Sequence, residues 1–280
     1  MPLVHCGDVE MYYEESGTGD PIVWVPGTGL LGSTWQRGQT PRFESRYRCV
    51  TLDLRGSGQT TGGGDFFTVA DMAGDVSRLL DALGITSAHL VGLSLGSAVV
   101  QELALARPDL ARTATMVGTW SSSAREHHIR RHFESRLYAL ENGPLDVFAQ
   151  FAFWMSAHSV VDEEPELQRA VEKLLAMDTS RVLQGTAGHF RADLGHETRE
   201  RLGEITCPTL VLHGEEDLIT LPRYNRTVAA MVRGAVLRSI PRGGHLVWLE
   251  RPDEVNAAIE EFLAAQVEAT RSTDDDKVTT

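Results

Sequence analysis

The chain has almost no lysine, so nearly all of its 26 basic residues are arginine, a composition expected from a GC-rich genome. Positive charge is in deficit. Against those 26 stand 39 Asp and Glu, and the formal net charge is −13. Nucleic acids and anionic membrane surfaces reward clustered cations, so neither is an expected partner. Cysteine is scarce too. Cys6, Cys49 and Cys207 show no CxxC spacing, and three thiols cannot all pair. That suits a reducing cytoplasm better than a disulfide framework. No run approaches the ~18 consecutive apolar residues of a membrane span. The start, MPLVHCGDVEMYY, lacks the basic and apolar regions of a signal peptide, so a cytoplasmic location is expected.

What is present is ordinary for a globular protein: 42% hydrophobic and 23% charged residues in a chain of 280. That length allows one large α/β domain, alone or with an inserted subdomain. Short apolar runs alternate with helical stripes. VEMYY, PIVWVPG, RYRCVTLDLRG, AHLVGLS, ARTATMVGT, PTLVLHG and AVLRSIP read as strands. Between them, DMAGDVSRLLDALGI puts Met72, Val76, Leu79, Leu80 and Leu83 on one helical face, with Gly84 as a stop. SAVVQELALARP and PDEVNAAIEEFLAAQ read as further helices. Such alternation implies an α/β fold with a mostly parallel sheet covered on both faces.

From Ser121 to about Leu202 the strands disappear. Stripes through Ile129, Phe133, Leu137 and Leu140, then Leu145, Phe148, Phe151 and Met155, then Leu167, Val171 and Leu174, point to an inserted helical cap. The expected organisation is a core of residues 1–120 and 203–268, a cap of 121–202, and a polar, acidic, disordered tail of 269–280.

The segment LVGLSLGSAVV places Ser94 between Gly92 and Gly96, where a strand turns into a helix. A capping serine would not need a glycine two residues away on each side. A nucleophile held in a strained turn would, because its neighbours must lack bulk. A serine nucleophile needs a base, and the base needs an orienting group. In a parallel sheet these collect beyond the carboxyl ends of the strands. Asp217, in HGEED, and His245, in GGH, both follow late strands. Glu215 and Glu216 beside Asp217 leave its register open, and position favours Asp217. The oxyanion donors expected are the backbone N–H of Leu95 and, from the loop Pro26-Gly27-Thr28-Gly29, that of Thr28.

With GLSLG, LDLRGSGQT, HGEED and GGH in this order, the chain resembles the α/β-hydrolase fold superfamily. The resemblance is to its 3-oxoadipate enol-lactonases, aryl esterases and polyketide-tailoring esterases, and runs from about residue 8 to 265. It implies a cofactor-independent serine hydrolase, acting through an acyl-enzyme on an ester or lactone of a hydrophobic small molecule, with the cap after the sixth strand. One departure stands out: the oxyanion loop of such families begins His-Gly, and here it begins Pro-Gly, so its anchoring must differ. The resemblance also leaves open C–C bond hydrolysis, perhydrolysis, cyclisation and ligand reception on the same fold.

Other readings compete. Gly27-Thr28-Gly29-Leu30-Leu31-Gly32 is also a GxGxxG after a strand, with Asp53 at a later strand end, the pattern of a dinucleotide site. That reading leaves Ser94, Asp217 and His245 unexplained. His128 and His132 have zinc-compatible i, i+4 spacing, but without a third ligand they read as exposed cap histidines. His213 reads as structural. Trp35, Trp120, Phe148, Phe151 and Trp154 are candidates to line an apolar pocket, together with Phe153. The arginine-rich AREHHIRRHFESR suggests a bulky, anionic or polyketide-like substrate, with an enol-lactone comparably placed.

Overall fold

Nine strands form one sheet in the computed structural model, which describes residues 2–143, 155–169 and 179–278, with side chains described outside 179–184 and up to 266. Across the sheet the order is β1 (Leu3–Cys6), β2 (Val9–Ser16), β4 (Tyr47–Leu52), β3 (Asp20–Val25), β6 (Ala88–Leu93), β7 (Ala111–Val117), β8 (Thr209–Gly214) and β9 (Val236–Ile240). The two-residue β5 (Thr61–Gly62) pairs with β2. β2 is antiparallel to β1 and β4, and every pair from β4 to β9 is parallel. The seven sequence runs named above all fall on strands. β1 and β5 were not foreseen, because four and two residues with exposed positions carry little periodicity.

Alternation sets the two faces. Val23 and Val25 point to one side of β3, Ile22 and Trp24 to the other. The first side is covered by α2 (Val69–Ala82), α3 (Leu95–Ala106) and, through Tyr224 and Val228, α7 (Pro222–Met231). The second is covered by Trp35, by Phe43 of α1 (Thr40–Phe43), by Trp248 of α8 (Val247–Glu250) and by α9 (Pro252–Val278). In α2 the stripe Met72, Val76, Leu79 and Leu80 is fully buried. Its start is fixed by a capping box, in which the Thr68 hydroxyl accepts the Asp71 N–H and the Asp71 carboxylate accepts the Thr68 N–H. In α9 Val255, Ile259, Phe262 and Leu263 are buried. No proline or glycine follows Pro252 in that stretch, and the helical backbone continues to Val278, through most of the tail read as disordered.

Between β7 and β8 lie α4 (His127–Asn142), α5 (His158–Glu163), α6 (Thr179–Gly195) and a 3-10 turn (Arg199–Glu204). α4 packs on α6. Ile129 and Phe133 are buried in that contact, with Leu137 and Leu140 against them. Leu145, Phe148, Phe151, Phe153, Trp154, Val171 and Leu174 lie outside the described residues. No described helix is long and apolar enough to cross a membrane.

The register brings the strand ends together. Val25 pairs with Gly92, Leu93 with Val117, and Val117 with Leu212. The loops holding Thr28, Ser94, Gly118, Asp217 and His245 therefore leave the same edge of the sheet.

Candidate active site

Ser94 sits in the turn between β6 and α3 with φ 51° and ψ −118°. Positive φ is strained for a residue with a Cβ, by roughly 1–3 kcal/mol. Hydrogen bonds hold it there. The Ser94 N–H donates to the Val117 carbonyl at 2.9 Å, and its own carbonyl accepts the Ser97 hydroxyl at 2.6 Å. The flanking glycines are required by contact. A Cβ on Gly92 would collide with the Gly96 carbonyl, and one on Gly96 with the carbonyls of Val25 and Pro26. A capping serine would leave this crowding unexplained.

Asp217 and His245 meet beyond β8 and β9. His245 Nδ1 lies 2.9 Å from Asp217 Oδ2, with the two side chains 5% and 1% exposed. Asp217 Oδ2 also accepts the Thr220 hydroxyl at 2.6 Å, and Oδ1 accepts the N–H groups of Ile219 and Thr220 at 2.7 and 2.9 Å. Burial alone would raise the Asp217 pKa. Attraction to His245 and the hydrogen bonds from His245, Thr220 and Ile219 outweigh it and hold the carboxyl below its usual value. An ionised Asp217 makes Nδ1 the protonated nitrogen of neutral His245 and leaves Nε2 as an acceptor. Glu216 takes another part, accepting the Ser159 N–H. Gly118 has φ +59°, and a Cβ there would stand 3.4 Å from His245 Cε1. In GGH, Gly244 passes so close to the backbone of residues 156 and 157 that no Cβ fits, and buried Glu250 ties these segments together. Glu250 was not foreseen; its signal is only a polar residue on an otherwise apolar face.

Leu95 is the first residue of α3, where a helical N–H has no intrahelical acceptor. Thr28, in the loop after β3, lines the same cavity as Ser94. Gly32 N–H donates to Asp53 Oδ1 at 2.9 Å, and Gln59 N–H donates to Asp53 Oδ2 at 2.9 Å. Asp53 is thus a buried tie between two loops. Beyond the glycines the chain forms a six-residue 3-10 helix, Gly32–Arg37. The dinucleotide pattern needs a long helix at that point and an acid directed at a ribose, and this geometry supplies neither. His213 is buried and bonded to Ser239 Oγ at 3.0 Å, in a structural position.

A sequence model described as "Alpha/beta hydrolase family" matches residues 22–258. The chain belongs to the alpha/beta hydrolase family. It is 31% identical over 264 residues to a Mycobacterium tuberculosis protein named "Putative non-heme bromoperoxidase BpoC", covering 92% of this chain and 98% of that one. Among solved structures, a thermophilic esterase from Thermogutta terrifontis superposes with a TM-score of 0.84 at 25% identity, over 95% of this chain and 99% of the esterase. Est816, described as an N-acyl homoserine lactone degrading enzyme, superposes with a TM-score of 0.79 at 26% identity, over 93% and 100%. The fold is the α/β-hydrolase fold, and the protein is a hydrolytic enzyme.

Ser94 and His245 of this hydrolase line one cavity. Its apolar wall comes from Leu30, Phe133, Met155, Phe190, Ile219 and Leu246. Gly27, Thr28 and Leu93 also line it, as do His132 and Arg136, one turn apart on α4. Of the expected aromatics, Trp35 belongs elsewhere. It is buried on the opposite face of the sheet, with ring centroids 5.2 Å from Trp24 and 5.3 Å from Trp248. Trp120 is also buried, behind Phe133 at 5.4 Å, and donates from Nε1 to Ser123 Oγ at 2.9 Å. Phe148, Phe151 and Trp154 fall outside the described residues. His132 is not an exposed cap histidine: burial lowers its pKa to about 3. His128 bonds to the Leu218 carbonyl, and no metal-binding cluster exists among the described residues.

Proposed function

We propose that this enzyme cleaves a carboxylic ester or lactone of a small hydrophobic molecule through Ser94, His245 and Asp217. Ser94 Oγ attacks the carbonyl carbon while His245 Nε2 takes its proton. Asp217 fixes the imidazole tautomer and stabilises the imidazolium. The N–H groups of Leu95 and Thr28 receive the tetrahedral oxyanion. Collapse breaks the C–O bond, and the leaving oxygen takes the proton from His245. Water, deprotonated by the same nitrogen, then splits the acyl-enzyme into the acid and free Ser94. No step calls on a cofactor. The observation that carries this reading is the buried Asp217–His245 bond at 2.9 Å, with His245 and strained Ser94 on one cavity wall.

The substrate is an apolar acyl compound with one polar or anionic end, in keeping with a lining that, beyond Ser94, His245 and Thr28, is apolar except for His132 and Arg136 among the described residues. Three free, buried cysteines suit action in the cytoplasm. The test is a panel of aryl esters, lactones and thioesters, run with wild type and Ser94→Ala in parallel. Wild type should cleave some members, and the variant should be slower by several orders of magnitude. A variant within tenfold of wild type would remove Ser94 from the reaction.

The relative named for bromoperoxidase favours a second reading. Hydrogen peroxide in place of water would attack the same acyl-enzyme and release a peracid and free Ser94. Peracid appearing from an ester plus peroxide, and lost in Ser94→Ala, is the result that reading requires.

A further inference from the structure

The oxyanion loop closes one turn on itself, the Leu30 N–H donating to the Gly27 carbonyl at 3.0 Å, and that bond engages neither the Thr28 hydroxyl nor the Gly29 N–H. Pro26 has no N–H to donate and no polar side chain, and glycines stand on both sides of Thr28. Asp53 grips the loop at its far end, through Gly32. The grip on Thr28 and Gly29 comes from helix α6, 160 residues further along the chain. His189 Nδ1 accepts the Gly29 N–H at 3.1 Å, and Asp193 Oδ2 accepts the Thr28 hydroxyl at 2.7 Å. At spacing i, i+4 the two side chains share one face of the helix. Both are buried.

We propose that His189 and Asp193 are positioning residues for the oxyanion hole, so that the cap-side helix α6 sets where the Thr28 N–H points. The proposal rests on the reading of Thr28 as an oxyanion donor. α6 is itself fixed against the core. His189 Nε2–H donates to the Arg55 carbonyl at 2.7 Å, and Arg55 pairs with buried Asp75. Gly185 lies directly on Gly56, with no space for a Cβ, and Gly188 lies against the Phe67 ring. Ser123 Oγ donates to the Asp193 carbonyl at 2.6 Å. The protonation of His189 suits its place. Burial pushes its pKa down to about 4, so the ring is neutral, with one nitrogen to accept from Gly29 and one N–H for Arg55. Oxyanion stabilisation depends on donor placement, so a loosened Thr28 should slow the chemical step more than it weakens binding.

The test uses His189→Ala, His189→Asn, Asp193→Ala, Asp193→Asn, Thr28→Val and Ser94→Ala, on the best ester of the panel, with kcat, KM and thermal midpoint measured for each. His189→Ala, Asp193→Ala and Thr28→Val should each lower kcat by about 10- to 100-fold, with KM within about threefold. His189→Asn restores an acceptor near Nδ1, and Asp193→Asn keeps an acceptor for the Thr28 hydroxyl. Each should recover most of the loss. With Ser94→Ala dead, alanine variants within twofold of wild-type kcat overturn the positioning role alone. So do Asn variants that recover stability but not kcat. Should the helix variants fail to fold, Thr28→Val decides, since it leaves α6 intact and unchanged kcat overturns the proposal. A Ser94→Ala enzyme that still turns over overturns the serine reading, and the proposal with it.

Discussion

The Glu250 carboxylate bridges the two backbone segments that flank His245: one oxygen accepts the Gly244 N–H at 2.6 Å, the other the Ala157 N–H at 3.0 Å. Glu250→Gln replaces one of these acceptors by an amide donor. One buried N–H then faces an N–H, which costs about 1–3 kcal/mol. The thermal midpoint should fall, and kcat should fall with it, because Gly244 precedes His245, the base of the proposed mechanism. An unchanged midpoint would mean that the bridge contributes nothing to holding the loop.

Asp217→Asn tests the tautomer. The amide nearly preserves the shape of the carboxylate, but Oδ1 is held by two backbone N–H groups, so the NH2 takes the place of Oδ2, donates to His245 Nδ1 and leaves the imidazole protonated on Nε2, the wrong tautomer. Turnover should drop by about 10⁴-fold with KM little changed. Steady-state kinetics on the cleaved ester is sufficient. A drop of under tenfold would show that His245 takes its orientation from Thr220 Oγ1, 3.3 Å from Nδ1, instead of from the carboxylate.

The two glycines of GLSLG make unequal demands on their surroundings from those of a turn glycine such as Gly84, where a Cβ would meet open space. Gly96→Ala drives a methyl group into the Val25 and Pro26 carbonyls, displacing the elbow and the oxyanion loop together. It should lose more than ~2 kcal/mol of stability and nearly all activity. Gly84→Ala should lose about 1 kcal/mol, from its φ of +67° alone, and keep full activity. Chemical denaturation of both variants checks the difference.

Arg136 lies on the wall of the Ser94 cavity, its guanidinium carbon 5.7 Å from the Phe190 ring centroid. Burial lowers its pKa to about 10, which still leaves it charged at neutral pH. A buried cation on the wall favours a substrate with an anionic end. Arg136→Met should raise KM for carboxylate-bearing esters by about tenfold and leave KM for neutral esters of equal length nearly unchanged. Equal changes in both series would assign Arg136 to packing.

Much of this site was legible in the sequence because its parts are fixed by position along strands. Ser94, Asp217 and His245 each follow an apolar run, and a parallel sheet brings strand ends to one edge. Gly92 and Gly96 were legible as oddities, and their collisions explain them; the crowding at Gly244 was not legible. The contribution of α6 was not legible. His189 and Asp193 act on residues 160 and 165 positions away, and nothing local in GTAGHFRADLG marks them. Trp35 went astray for a related reason. Aromatic content identifies a residue as buried, but the face of the sheet that buries it is decided by the path of the chain after β3. His132 shows the reverse error, since a polar residue on a charged helix reads as exposed until the helix is seen to border a cavity.

Three further histidines make the protein sensitive to acid. His89, His189 and His196 are 3%, 0% and 2% exposed, and burial pushes each pKa down to about 4. In the unfolded chain each returns to about 6.5. Between those values the unfolded state binds protons that the folded state does not. Stability therefore rises with pH across the window and falls on acidification, by up to about 1.4 kcal/mol per pH unit for each histidine. Asp193 acts in the opposite direction over a window that extends to higher pH. Burial raises its pKa to about 8, so from about pH 4 upward the unfolded state loses a proton that the folded state keeps, and stability declines until pH 8. Urea titrations from pH 4 to 9 should give a maximum near neutrality, steeper on the acid side. Asp193→Asn should flatten the alkaline side and steepen the acid side, and His189→Asn should make the acid side shallower without changing the alkaline side. If Asp193→Asn leaves the alkaline limb unchanged, the carboxyl is ionised throughout, and some other group carries that dependence.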